Sequence, residues 1–347
     1  MSRLRRALVA VVLALSIFLT SCSESGVQSS GKVGNVHLTK TLPARPSPGC
    51  ATTSHPELTL AKQTLAVAGI SRWYLISTPP ANRAKKPLAV VLDFHGLDEG
   101  ASIEALTTQF GPLAQKDGFI AVFPQGTGNP VSWDTDDVAF AENHDLQYVS
   151  QLLDEVEGTE CVDETRIYAT GLSDGAFMTS LLACAMSNRI AAFAPVSGVQ
   201  LPSPCAARRR VPILAFHGTA DPILHFNGGI GSAVLGHAIG TSKGPAPSLE
   251  VPPANLDGPG YPATVAAWAE RDGCSAEFTD RRLASQVILR NYRCPKGTAV
   301  EFYIILGGGH AWPGSKFSES VASITGPTTF EIDATTVIWR FFQRFQV

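Results

Sequence analysis

Arg166-Ile167-Tyr168-Ala169-Thr170-Gly171-Leu172-Ser173-Asp174-Gly175 sets a strand, a turn and the start of a helix side by side. An apolar run of strand length enters a Gly-x-Ser-x-Gly turn, and a helix-like run from Ala176 to Met186 leaves it. Small residues at both ends of the turn tolerate a strained backbone, which lifts the serine hydroxyl clear of the sheet. The same spacing recurs at Gly240-Thr241-Ser242-Lys243-Gly244, but no apolar strand precedes it and Pro245 and Pro247 follow it. Strand context, rather than the pentapeptide, singles out Ser173.

Outward from this turn, apolar runs of strand length alternate with amphipathic segments of helix length. The strand candidates are residues 73–77, 88–94, 119–123, 166–170, 190–196, 212–216 and 300–306. Leu146, Val149, Leu153 and Val156 recur at helical spacing, as do Ile103, Leu106, Phe110 and Leu113, and Ile338, Phe341, Phe342 and Phe345. The pattern predicts an α/β fold, a mostly parallel central sheet with helices on both faces. Residues 225–262 are rich in Gly and Pro, break the rhythm and read as a loop-rich flap over the C-terminal edge of the sheet.

The first residues carry Arg3, Arg5 and Arg6, then an apolar run from Ala7 to Leu19, which reads as a signal peptide over 1–21. Leu19-Thr20-Ser21-Cys22 matches a lipoprotein box, so Cys22 is the expected lipidation site and membrane contact. A flexible tether over 22–47 and a catalytic body over 48–347 follow. Removing the leader takes the formal charge from −3 to −6 by deleting three arginines and no acids, which leaves no footprint for nucleic acid. Six cysteines remain besides Cys22, an even number that suits three disulfides in an exported chain. Cys274 and Cys294 read as a local staple around an Asp/Arg-rich excursion; Cys50, Cys161, Cys184 and Cys205 admit three pairings. No Cys/His spacing suits zinc, and neither a metal nor a cofactor is expected.

A serine hydroxyl needs a base within reach and an acid behind that base. In α/β-hydrolases these follow in the order Ser, acid, His, each after a strand. The run 211–216 leads into His217-Gly218-Thr219-Ala220-Asp221-Pro222, making Asp221 the expected acid, with Asp257 in a looser context. The run 300–306 leads into Gly307-Gly308-Gly309-His310, making His310 the expected base; His225 and His237 fall in the flap and read as solvent-facing. The strand 88–94 ends in His95-Gly96-Leu97-Asp98, so the backbone N–H groups of Leu97 and Asp174 are the expected oxyanion donors, their side chains incidental. His95 precedes the serine and reads as a residue shaping that loop.

These residues resemble the polyhydroxybutyrate depolymerase and feruloyl esterase group of secreted α/β-hydrolases, including mycobacterial-type esterase lipoproteins. The resemblance rests on His95-Gly96, residues 136–140, residues 162–175, Ala194-Pro195-Val196-Ser197-Gly198, His217 to Asp221, Phe226-Asn227-Gly228-Gly229 and residues 308–314, and covers about residues 50–345. It implies a serine ester hydrolase acting through an acyl-enzyme on hydroxyalkanoate, feruloyl or acetyl esters, with Trp133 and Trp312 flanking the substrate. Leu97 replaces a cysteine often found there, and Ala176 a glycine, which alters the walls near the oxyanion hole. With no polymer-binding module in view, small or oligomeric esters are expected over crystalline polymer. An envelope acyltransferase on the same fold and a catalytically silent ligand-binding lipoprotein are the competing readings.

Overall fold

Period-two burial in the central strands divides their side chains between two hydrophobic cores. In the computed structural model, which describes residues 42–52, 55–80, 86–136, 139, 141–231 and 251–347, Val90, Leu92 and Phe94 enter one core while Ala89 and Val91 enter the other. The leader, Cys22, most of the tether, Asp137, Val138, Phe140, His237, Ser242 and the middle of the flap lie outside the described residues.

In chain order the strands are β1 (Ala61–Val67), β2 (Ile70–Ser77), β3 (Leu88–Phe94), β4 (Ile120–Pro124), β5 (Thr127–Gly128), β6 (Val131–Ser132), β7 (Val162–Leu172), β8 (Ala192–Val196), β9 (Ile213–Gly218), β10 (Phe278–Ala284), β11 (Val287–Tyr292) and β12 (Val300–Ile305). Among the described residues ten of them form one sheet in the order β1-β2-β4-β3-β7-β8-β9-β12-β11-β10, while β5 and β6 pair apart. The run from β4 to β12 is parallel, and antiparallel strands close both edges.

The helices are α1 (Ala101–Thr108), α2 (Phe110–Asp117), α3 (His144–Thr159), α4 (Asp174–Ala185), α5 (Tyr261–Arg271), α6 (Lys316–Ser320), α7 (Ala322–Thr325) and α8 (Ala334–Phe342). Apolar stripes of α3, α4 and α5 cover one face of the sheet; those of α1, α2 and α8 cover the other. Burying a large apolar side chain contributes about 1.5–3 kcal/mol, so these stripes are the main favourable term holding the layers together. No helix among the described residues is long and apolar enough to cross a membrane.

Three local readings change. The stripe Ile103 to Leu113 is two helices, because Pro112 has no N–H for the Thr108 carbonyl; Thr335 Oγ1 donates to that carbonyl instead, Gln109 turns left-handed at φ 58°, and Leu106 points outward. The Asp/Arg-rich excursion is the β10–β11 hairpin, in which Asp280 and Arg290 stand directly opposite and pair at 2.8 Å. Strand β1 lies outside the sequence candidates, since edge strands carry polar residues such as Lys62 and Gln63 that hide the alternation. Disulfides join Cys50 to Cys161, Cys184 to Cys205 and Cys274 to Cys294.

Chain order also locates a crevice. From β3 the chain crosses to β4 on one side and later returns as β7 on the other. In parallel sheets such a reversal opens a cleft at the carboxyl ends of the two strands.

Candidate active site

Strand β7 delivers Ser173 to that crevice with φ 58° and ψ −116°, a conformation that non-glycine residues seldom adopt. Both glycines of the pentapeptide are required by close packing on β3. A Cβ at Gly171 would stand 2.5 Å from the Phe94 carbonyl oxygen, and one at Gly175 would collide with the same oxygen. The Ser173 N–H donates to Val196 O at 3.0 Å, which ties the turn to the end of β8.

Strands β9 and β12 bring Asp221 and His310 together. His310 Nδ1 bonds Asp221 Oδ2 at 2.8 Å, while Asp221 Oδ1 accepts the Ile223 and Leu224 N–H groups, both at 2.8 Å. The His217 ring, stacked on Tyr261, places Nε2 3.2 Å from the same Oδ2. Burial alone would push the Asp221 carboxyl up, but His310 and His217 hold it well below the usual carboxylate range. Burial likewise opposes charge on His310, yet Asp221 raises the imidazole above the ordinary histidine value of 6.5. An ionised Asp221 accepts a hydrogen bond from Nδ1–H, which keeps the proton on Nδ1 and leaves Nε2 with a free lone pair. The half-buried Ser173 hydroxyl makes no hydrogen bond among the described residues. Such contacts often tighten only when substrate binds.

The loop after β3 closes the other wall. His95 Nδ1 donates to Gly96 O at 2.8 Å, and Nε2 accepts the Gly126 N–H at 2.9 Å; burial pushes this imidazole down to about 4. The Asp98 N–H donates to Val131 O at 2.8 Å, pinning the loop to β6. Among the described residues neither the Leu97 nor the Asp174 N–H has a hydrogen-bond partner.

The remaining site residues fall in different places. Trp133 is 5% exposed, packs edge-on against Phe94 and donates Nε1 to His95 O at 2.9 Å, so its ring backs the loop from inside. Trp312 is 1% exposed, edge-on to Phe110 and bonded through Nε1 to Thr335; it borders a cavity of about 390 Å³ that neither Ser173 nor His310 lines. The Asp174 side chain is not incidental: its carboxylate accepts the Trp133 N–H at 2.8 Å, and burial pushes it up to about 6. His225 is half-buried rather than solvent-facing, with Nε2 sealed and unpaired. Asp257 pairs with Arg290 at 2.7 Å.

Sequence reasoning missed a row of carboxyls beneath the elbow. Glu99 accepts the Gly96 N–H, Glu104 is fully buried, and Asp93 accepts a 2.5 Å bond from Thr108. Nothing local marks them; the topology of β3 and α1 gathers them. No cluster of described residues is arranged to hold a metal ion.

A serine turn after one parallel strand, with an acid and a histidine after two others, defines the α/β-hydrolase class. The fold matches that of an acetyl xylan esterase from Aspergillus awamori at a TM-score of 0.50 with 14% identity, covering 76% of this chain and 98% of the other. Residues 72–233 match the family Esterase PHB depolymerase. The chain is 34% identical over 148 residues to the bifunctional acetylxylan esterase/xylanase XynS20E of Neocallimastix patriciarum, covering 42% of this chain and 21% of that protein. It is 27% identical over 248 residues to feruloyl esterase B of Piromyces equi, covering 69% and 42%. It thus spans well under two thirds of either relative. Over these stretches the chain is similar to the polyhydroxybutyrate depolymerase and feruloyl esterase-like hydrolases.

Proposed function

We propose that the chain is a serine carboxylic-ester hydrolase acting through an acyl-enzyme on small or oligomeric esters of the hydroxyalkanoate, feruloyl or acetyl type. One observation carries the reading: the hydrogen-bonded Asp221–His310 pair stands at the same end of the parallel sheet as the strained Ser173 turn.

In this reading His310 Nε2 takes the Ser173 proton as Oγ attacks the ester carbonyl. Asp221 holds the productive tautomer and stabilises the imidazolium. The unpartnered Leu97 and Asp174 amides supply the oxyanion donors, each such donor accounting for about 3–4 kcal/mol of barrier lowering. The imidazolium then protonates the departing alcohol, and water, activated by the same histidine, hydrolyses the acyl-enzyme. The Leu97 side chain, 49% exposed beside these amides, offers apolar surface to an acyl or alcohol group. Trp133 serves by supporting the loop.

Export is supported by the leader pattern and by three disulfides, which form and persist in oxidising compartments. A lipid anchor on Cys22 is the accompanying reading, supported by the Leu19-Thr20-Ser21-Cys22 box.

The test is Ser173→Ala against wild type on short-chain p-nitrophenyl, feruloyl and hydroxybutyrate oligomer esters, with a fluorophosphonate probe on both. Turnover and labelling in the wild type alone are expected. A wild type that neither turns over nor labels ends the hydrolase reading.

A further inference from the structure

Glu99 holds a position that Ser173, Asp221 and His310 do not account for. Its Oε2 accepts the Gly96 N–H at 2.9 Å, and its own N–H returns to Gly96 O at 3.3 Å, so residues 96–99 form a closed turn. A Cβ on Gly96 would lie 2.6 Å from that Oε2 and 3.4 Å from Ser173 Cβ. The carboxylate and the elbow therefore both border the space that a Gly96 side chain would fill. The charges of Glu99 and His310 act on each other, each favouring the other's ionised form. Asp221, bonded to Nδ1, is the other carboxylate acting on that ring.

Among the described residues His310 is the basic group whose charge acts on Glu99. Among the described residues no lysine or arginine is paired with it. Behind it stand Glu104 and, through Glu104, Asp93. His95 in the same loop is held neutral by burial, Asp174 opens α4, and His217 lies beyond Asp221. Burial raises the Glu99 carboxyl, while the Gly96 amide and His310 both favour its charged form.

We propose that Glu99 is a positioning residue for the base: it clamps the oxyanion loop through the Gly96 amide and, as an anion beside His310, shares with Asp221 the stabilisation of the imidazolium. The proposal rests on the hydrolase reading above. Glu99 takes no proton; the proton passes from Ser173 Oγ to His310 Nε2 and then to the leaving alcohol. Two negative neighbours also disfavour substrates with a carboxylate close to the scissile bond, so neutral esters are the class this site accepts.

The experiment compares wild type, Glu99→Gln, Glu99→Asp and Glu99→Ala, each with a melting curve. It measures kcat/KM on a neutral p-nitrophenyl ester and the rate of fluorophosphonate labelling, both against pH. In Glu99→Gln the amide oxygen still accepts the Gly96 N–H, but the anion is gone and His310 loses proton affinity. Its acid limb should move to lower pH by about half a unit or more in both profiles. Glu99→Asp should keep the wild-type limb, which tests the charge if the glutamine variant folds poorly. Glu99→Ala should show a larger fall in plateau kcat/KM than Glu99→Gln, because the loop clamp goes as well. A Glu99→Gln limb that overlays the wild type, or a Glu99→Asp limb displaced as far as the alanine variant's, overturns the proposal. If the wild type is active through Ser173 while those limbs coincide, only the role of Glu99 falls; an inactive wild type removes both readings.

Discussion

Replacing Asp221 by Asn is the most informative single change, because the structure separates what the residue does for the fold from what it does for His310. Asp221 Oδ1 accepts two backbone N–H groups, Ile223 and Leu224, which an Asn carbonyl oxygen can accept equally well. Its Oδ2 faces two imidazole nitrogens, at 2.8 Å from His310 and 3.2 Å from His217. An Asn amino group there is a donor, so His310 Nδ1 must become the acceptor and Nε2 carries the proton. That tautomer has no lone pair for the Ser173 proton. In a serine triad this change costs about 10⁴ in rate, equivalent to roughly 5.5 kcal/mol of transition-state stabilisation. The fold loses one charge-assisted hydrogen bond, about 2 kcal/mol. Steady-state kcat/KM on a p-nitrophenyl ester, with thermal melting of both proteins, separates the two effects. A folded Asp221→Asn protein within tenfold of wild-type kcat/KM would show that Asp221 does not orient the base.

The paired carboxyls beneath the elbow govern stability in alkaline solution. Burial pushes Asp93 up to about 7 and Glu104 well above the usual range. Both folded values lie above the unfolded ones, so their contribution is fully present at acidic pH and is lost as pH rises through about 7. Asp93→Asn should therefore gain about 1–3 kcal/mol over wild type at pH 8.5 and little at pH 4 in urea titrations; parallel pH dependences of the two proteins would contradict the assignment. For the anchor, Cys22→Ser should move the protein from the membrane fraction to the soluble exported fraction, and equal partitioning of both forms would count against lipidation.

Local signals carried much of this site. Asp221 and His310 each follow a run of apolar residues, and chain order pairs them with Ser173 before any geometry is known. The Leu97 and Asp174 amides, the proposed oxyanion donors, can be named the same way, because a donor position is a backbone property of the turn. What stayed hidden depends on partners distant in sequence. The Thr108 carbonyl, left without an N–H by Pro112, is taken by Thr335, which joins α1 to α8 and splits one helical stripe into two helices. The Asp/Arg-rich excursion shows its hairpin only once β10 folds back and sets Asp280 across from Arg290. Asp174 reads as filler until β6 brings up the Trp133 amide, and Cys50 can be assigned to Cys161 only once residues 42–52 lie along the start of β7.

That last attachment also sets how the body is held. Ser47 bonds Val162 through backbone and side chain, Arg45 bonds Asp163, and Cys50 is linked to Cys161, all at the end of β7 remote from Ser173. β3 alongside it is seven residues long, so about 20 Å of sheet separates this entry point from the catalytic edge. Residues 45–50 and the crevice thus occupy opposite ends of the parallel sheet, so this attachment leaves the mouth of the crevice clear.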